Sequence, residues 1–444
     1  MNLRAKIAKL AGQSSHFVLQ NIFHGGTSFP GKIATKIDPA ILDHLSADYE
    51  TIIVTGTNGK TMTTSLIVKA LSKKYGHILT NPSGSNMQQG ITTAFITGHN
   101  SKSKRKIAVL EVDEANVKKV TQLVKPKAFV LTNIFRDQMD RYGEIYTTYE
   151  KIVDGIKLSP EATVIFNADA NIFSSVDLPN PKVTYGFKLP EGEAIHAPVN
   201  TDGVLCPKCQ HILEFKSRVY ANLGSFICPN CHFSRPELDY WVEKIIDEKP
   251  NHLEFEIGQH NYQLALGGTF NIYNALAAYA TARTFGVTDD EIDESFNNNL
   301  RIFGRQELIK IGNHDINLIL VKNPVGLDEV IRLIDTETDQ YSLVALLNAN
   351  HADGIDTSWI WDAQFEQMNQ THIKATLVGG LRYEDMALRL RIAGFDKKAM
   401  TVESDFNKLS DRIKELPEGK VYILSTYTAM LDLRKQLREK GYLK

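Results

Sequence analysis

Two stretches of this 444-residue chain carry side chains whose type and spacing could do chemistry. In TIIVTGTNGKT, residues 51–61, an apolar run enters a turn containing Gly56, Thr57, Asn58 and Gly59, then meets Lys60 and Thr61 where a helix should begin. Glycines let a backbone wrap a polyphosphate, and a helix start offers free amides. Lys60 could reach the β and γ phosphates, and the Thr61 hydroxyl could hold Mg2+. Val54 stands where the general pattern has a glycine, so the motif is a variant, and its bland alternative is a turn with a solvated lysine. The second stretch holds all four cysteines, Cys206, Cys209, Cys228 and Cys231, as C-x2-C-x18-C-x2-C. Two such knuckles supply the four thiolates of a closed structural Zn2+ site, which leaves no position for substrate. A redox pair or unrelated thiols are the alternatives.

Other polar residues recur at strand ends. Glu111 closes KIAVLE and is placed to be a Mg2+ ligand; Asp137 and Asp140 follow AFVLTNIF; Asn167 and Asp169 follow ATVIF. Each alone is as readily a turn former or helix cap.

The elements that must position these groups alternate strand and helix from Thr51 onward, the pattern of a parallel sheet covered on both faces, which binds ligands at the carboxyl ends of its strands. The cysteine segment, residues 203–234, reads as an insertion in a central unit spanning 46–300. Residues 1–45 read as a helical lead-in broken at Pro30-Gly31, with a helix near Pro39 to Leu45. The alanine-rich stretch from Asn271 to Phe285 closes the central unit, and residues 301–444 form a second, smaller α/β unit with strands at INLILV, YSLVALLNA, HIKATLVGG and KVYILS.

Composition agrees with several folded domains: hydrophobic residues are 43% and charged residues 23%. With 50 Lys and Arg against 52 Asp and Glu, the net charge of −2 argues against broad capture of nucleic acid. That weighs against the ribbon as a nucleic-acid docking module. No apolar run approaches the roughly eighteen residues of a membrane span. The N-terminus is basic and weakly amphipathic without the core of a secretory signal, so a cytoplasmic location is expected.

The succession T-G-T-N-G-K-T, E-V-D-E, T-N-I-x-R-D-Q-M-D-R-Y-G, N-A-D and N-x-x-N-A-L-A-A resembles the Mur ligase family and its relative folylpolyglutamate synthase. The resemblance implies a central P-loop ATPase domain carrying the zinc ribbon, followed by a C-terminal α/β domain. It also implies ATP-dependent amide formation through an acyl phosphate. It further implies that Thr57, Asn58, Gly59, Lys60, Thr61, Asn167, Asn271, Asn274 and Arg305 bind ATP, with Thr61 and Glu111 on Mg2+. Lys322-Asn323-Pro324 replaces the family's D-x-A-H-N-P-like segment. Gln138 stands where a second Mg2+-binding histidine is usual, and Val153 where the carbamylated lysine falls, with Lys151 two residues away.

The ribbon together with A-D-G-I-D-T-S-W-I-W-D resembles the narrower MurT group of that family. This implies a synthetase subunit that takes ammonia from a class I glutaminase partner, GatD, and amidates the α-carboxylate of D-isoglutamate in the lipid II stem peptide. A self-sufficient ligase using free amino acids is the rival. The group also implies that one aspartate completes the partner's Cys-His pair. Among Asp353, Asp356 and Asp362, the loop position just past Gly354 favours Asp356 as that catalytic residue. Capping of a helix before Ser358-Trp359 is its alternative role, and Trp359 and Trp361 read as core or interface anchors.

Overall fold

The computed structural model describes residues 1–19, 28–82, 84–98, 105–137, 145–198, 201–297 and 306–443. Two sheets organise the chain. The larger takes β1 (Glu50–Thr55), β2 (Leu79–Thr80), β3 (Ile107–Glu111), β4 (Pro126–Leu131), β5 (Thr163–Asn167) and β6 (Lys182–Phe187). A three-stranded ribbon of β7 (Ile195–His196), β8 (Glu214–Tyr220) and β9 (Leu223–Ile227) intervenes. The main sheet then resumes with β10 (Tyr240–Lys249), β11 (His252–Ile257) and β12 (His260–Leu264), in the order β12-β11-β10-β6-β5-β4-β1-β3-β2.

The pairings from β10 to β2 are all parallel, whereas β11 and β12 add an antiparallel hairpin. The expectation of a purely parallel sheet is corrected at that edge: residues 250–251 and 258–259 are turns too short for the crossover that parallel strands need. The inner strands are buried along nearly their whole length because helices such as Lys60–Tyr75 and Thr269–Thr284 cover the sheet. β1 sits between β3 and β4, so the connection direction reverses there, and a crevice opens at its carboxyl end.

The second sheet contains β13 (Glu307–Ile311), β14 (His314–Leu320), β15 (Tyr341–Leu346), β16 (Ile373–Gly379), β17 (Met400–Val402) and β18 (Gly419–Ser425), ordered β13-β14-β18-β15-β16-β17. Helices Pro324–Asp335 and Tyr427–Glu439 pack on its two faces, each contributing to a different apolar cluster.

The lead-in forms helices Leu3–Val18, Phe29–Ile37 and Ile41–Ser46, packed on helix Gln88–Thr97 through Ala5, Ala8, Ala34, Ile41 and Ile96. Pro30-Gly31 does not break a helix as expected; Pro30 lies in the first turn of Phe29–Ile37, where its missing amide costs nothing. Gly31 serves contact between helices: a Cβ there would lie 1.9 Å from the Gln89 carbonyl oxygen.

In the ribbon, the residues after each second cysteine, Gln210 and His232, both have left-handed backbone (φ 61° and 59°). Cys206 N donates to His211 O, and Cys228 N to Phe233 O, each at 2.7 Å, so the two knuckles share one geometry. The four sulfurs lie within 4.8 Å of one another, with Cys206–Cys231 and Cys209–Cys228 at 3.5 Å. That is far beyond the roughly 2.05 Å of a disulfide and close to the roughly 3.8 Å edge of a tetrahedron with 2.3 Å metal–sulfur bonds. The donor set fits Zn2+.

Replacement of Cys206 by Ser should therefore lower bound zinc from one per chain and cost the ribbon about 4 kcal/mol of local stability. Metal analysis with amide exchange over residues 203–234 measures both; full protection in a zinc-free variant would contradict the metal's structural role.

Candidate functional site at the facing sheet edges

The carboxyl ends of the two sheets face each other across a cleft lined by Asn58, Gly59, Tyr220, Asn271, Lys322 and Glu329 among others. The turn after β1 forms its floor. Gly59 has φ +84°, and a Cβ there would lie 2.0 Å from Asn274 Oδ1, so both conformation and space demand glycine. Asn274 also accepts from Thr63 Oγ1 at 3.2 Å and donates to Asn271 Oδ1 at 3.1 Å. Helix Thr269–Thr284 is thereby pressed onto the turn with its asparagine face.

From the other side, Thr57 N donates to Asn133 O, and Asn58 N to Asn133 Oδ1, both at 2.8 Å. Thr132 Oγ1 and Asn133 Nδ2 both donate to Asn58 O. The T-N pair of T-N-I-x-R-D was visible in the sequence, but its task, holding the turn from the neighbouring strand end, was not assigned there.

Lys60 and Thr61 open helix Lys60–Tyr75 and are buried. Lys60 Nζ donates to Gly56 O at 2.6 Å and pairs with Glu114 at 3.0 Å. Burial alone would push this ammonium down, but Glu114, Glu111 and Asp113 together hold it above its usual value. Burial likewise raises the Glu114 carboxyl, with Lys60 opposing. Lys60 thus stays charged and occupies, with Glu114, the place from which it could turn to a phosphate. Glu114 was not singled out from the sequence, although the E-V-D-E string contains it.

Glu111, at the end of β3, is buried; its backbone amide is held by Asn81 Oδ1 and its Oε1 accepts from Asn86 at 3.4 Å. The Thr61 hydroxyl and the Glu111 carboxylate are hard oxygen donors and fit Mg2+ chemically.

Several expected residues stand elsewhere or are otherwise engaged. Asn167 is buried at the end of β5 and accepts from Asp169 N. It is not among the residues lining the cleft. Asp169 belongs to a structural knot: it takes Arg235 at 2.8 Å, the Tyr273 hydroxyl at 2.7 Å and Phe187 N at 2.8 Å, fastening ribbon, sheet and helix. Val153 is packed in the hydrophobic core. Gln138, Asp140 and Arg305 lie outside the described residues.

The second sheet closes the cleft. Asn323, the N-cap of helix Pro324–Asp335, exchanges side-chain hydrogen bonds with Asn58 at 2.9 and 3.3 Å. Lys322 pairs with Asp137 at 2.5 Å, and Arg136 with Asp362 at 2.6 Å. Gln306, with φ 53°, donates to and accepts from the Gly267 backbone at 3.0 Å, pinning the start of the second unit.

The loop after β15 carries the three aspartates. Asp353 is buried and takes Thr428 N at 2.7 Å, the Thr428 hydroxyl at 2.5 Å and Asn350 N at 3.1 Å, so it anchors the loop to helix Tyr427–Glu439. Asp362 is engaged by Arg136. Asp356 is exposed, its Oδ1 accepting from Ser358 N at 2.8 Å, which with the Ser358 hydroxyl holds its carboxyl below the usual range. The short helix Ser358–Trp361 has Thr357 as its N-cap, so Asp356 engages Ser358 one residue before the cap and is not the cap residue weighed from the sequence. Ile355 and Trp361 on this loop, and Leu381 after the neighbouring β16, are exposed.

Comparison with known proteins places this geometry. Residues 54–282 match the Mur ligase middle domain and residues 320–430 the MurT ligase C-terminal family. The chain is 47% identical over 437 residues to the lipid II isoglutaminyl synthase (glutamine-hydrolyzing) subunit MurT of Streptococcus pneumoniae, covering 98% of each. It is 34% identical to the Staphylococcus aureus (strain COL) subunit of the same name, over 97% of this chain and 96% of that one. Among solved structures, a pseudomurein peptide ligase type C from Methanothermus fervidus shares the fold with TM-score 0.66 at 19% identity, over 90% of this chain and 81% of that one. Folylpolyglutamate synthase of Thermotoga maritima does so with TM-score 0.58 at 16% identity, over 97% and 98%. The chain belongs to the Mur ligase family, and within it to the MurT group.

Proposed function

We propose that this chain is the ATP-dependent synthetase subunit of a lipid II isoglutaminyl synthase, amidating the D-glutamate α-carboxylate of the stem peptide with ammonia from a glutaminase partner of the GatD type. The observation that carries the reading is the Asn58–Asn323 clasp. It sets the phosphate-type turn of one sheet against the strand ends of the other, from which the Asp356 loop emerges.

The γ-phosphoryl group passes to a substrate carboxylate oxygen, giving an acyl phosphate and ADP; ammonia then attacks the carbonyl carbon, inorganic phosphate leaves, and the bound nitrogen loses a proton to give the amide. Charge stabilisation dominates such a transfer. Lys60, charged and held at the helix start, leaves Glu114 for the phosphates. The turn from Gly56 to Gly59 and the first amides of helix Lys60–Tyr75 hold their oxygens. Thr61 and Glu111 would hold Mg2+, which when bound neutralises phosphate charge. Asn271 and Asn274 line the nucleotide side of the cleft, and Arg305 and Asn167 are assigned to ATP by family resemblance. Tyr220, from the ribbon, walls the same cleft, so the zinc site supports the nucleotide pocket without touching the reaction.

Asp356 is the residue we assign to the partner's active centre. It is exposed, ionised and fixed by Ser358, and Ile355 and Trp361 on the same loop supply apolar surface for a docked subunit. An imidazole held by such a carboxylate keeps one tautomer and is stabilised when it takes a proton.

Lys60→Ala should lower ATP-dependent amidation roughly a hundred- to a thousand-fold. It also strands the buried Glu114 charge, so stability falls; Lys60→Ala with Glu114→Gln should recover stability and not activity. Near-normal synthesis by either variant at saturating ATP would remove the phosphate role.

Asp356→Asn keeps an oxygen acceptor for Ser358 N, so the loop should persist. Glutamine-dependent amidation by the complex should fall by up to about 10^4 while ammonia-dependent amidation stays near normal. Equal loss of both would move Asp356 to the synthetase centre; loss of neither would free it of any part in glutamine use.

A further inference from the structure

The N-terminal helix Leu3–Val18 carries its small residues inward and its large apolar residues outward. Ala5, Ala8 and Gly12 are buried, and a Cβ on Gly12 would press Ile96 at 2.8 Å, so the helix is fitted closely to Gln88–Thr97. On the opposite side, Leu3, Ile7 and Leu10 are 75%, 50% and 63% exposed. At 100° per residue these three fall within about 60° of one another, with Ser14 between the lines they define and Val18 at its margin. A helix that only had to stay soluble would place polar residues there.

Charge identifies what this stripe meets. Residues 1–37 contain Arg4, Lys6, Lys9, Lys32 and Lys36 and no Asp or Glu, although acidic residues outnumber basic ones in the chain as a whole. Lys6 is exposed on the helix beside the stripe, and Lys32 and Lys36 are exposed on the adjoining helix Phe29–Ile37. An apolar stripe with basic flanks complements an interface that is apolar beneath and anionic above.

We propose that the helix Leu3–Val18 seats the protein on an anionic phospholipid bilayer, lying in the interface plane with Leu3, Ile7 and Leu10 among the upper acyl chains and the lysines at the headgroups. About 24 Å of helix would lie flat on the surface. No helix of the described residues is long and apolar enough to cross a membrane, so the seat is peripheral. The proposal rests on the synthetase reading only for its use, since a lipid-linked substrate is met at that surface; the binding itself requires no substrate.

The test is co-sedimentation of the full chain with phosphatidylcholine vesicles with and without phosphatidylglycerol, at low and high salt, in the absence of lipid II. Binding should require phosphatidylglycerol and weaken with salt. Lys6→Glu with Lys36→Glu should reduce partitioning by more than tenfold, from roughly fivefold per charge near the surface. Ile7→Ser with Leu10→Ser should reduce it at least as much, and since both residues are exposed the melting temperature and zinc content should be unchanged. Binding to no vesicle, or binding that survives both double variants, would overturn the proposal. So would a wild-type dimer that Ile7→Ser with Leu10→Ser converts to monomer while vesicles are ignored, which would assign the stripe to a second copy of the chain. Vesicle binding by a preparation unable to amidate would sink the synthetase reading and support the seat.

Discussion

The turn between Gly56 and Lys60 has almost no room of its own, and much of the surrounding architecture follows from supplying its walls. Its backbone reverses at a left-handed glycine beneath Asn274, its amides and carbonyls are taken by Thr132 and Asn133, and its outer side chain is clasped by Asn323. The walls are mostly neutral amides. They take up much of the turn's backbone and do so without adding negative charge to it. The carboxylates are kept together instead, around Lys60, where three of them hold one ammonium charged in a buried position. Glu114 lies nearest, pairing with the Lys60 ammonium at 3.0 Å.

Around this turn the chain separates rigidity from exchange. The knot of Asp169, Arg235 and Tyr273 ties the ribbon to the sheet and to helix Thr269–Thr284, and the four cysteines sit beside the ribbon's very small apolar centre of Leu213, Phe215 and Phe226. The ribbon therefore presents Tyr220 to the cleft as a fixed wall. The second sheet meets the first through polar contacts, Asn58–Asn323, Lys322–Asp137, Arg136–Asp362 and the Gln306 pairing with Gly267, and through Val325, which packs against the apolar core of the first unit. Polar contacts of this kind can be exchanged for others at modest cost.

The outward surfaces continue the same logic. Asp353 fastens the loop after β15, so that Asp356, three residues on, is exposed with its carboxylate already oriented by Ser358. Exposed apolar residues near Asp356 and on the N-terminal helix belong to opposite ends of the sequence and to different surroundings: the first group flanks a fixed carboxylate, the second is flanked by lysines. The two surfaces thus differ in the charge beside their exposed apolar residues.

Much of this was legible in the amino-acid sequence. Strand-helix alternation follows from local periodicity, so β1, β3, β4, β5 and the four inner strands of the second sheet fall where their apolar runs predict. The turn at residues 56–61 and the four cysteines are local too, since their chemistry depends on spacing within a few bonds. The antiparallel hairpin of β11 and β12, and Pro30 as a helix start, depend on short turns and helix neighbours that apolar pattern alone does not weigh. Only the tertiary structure decided which polar residues meet. Asn58 and Asn323 are 265 positions apart, as read from their numbering, and nothing in either local sequence specifies the other. The same holds for Glu114 with Lys60 and for Asp169, which shares a strand-end signature with Asn167 yet is consumed by a knot drawn from three elements. Side chains near one another in sequence are constrained by bond geometry, whereas those brought together by folding are chosen by the packing of whole sheets and helices.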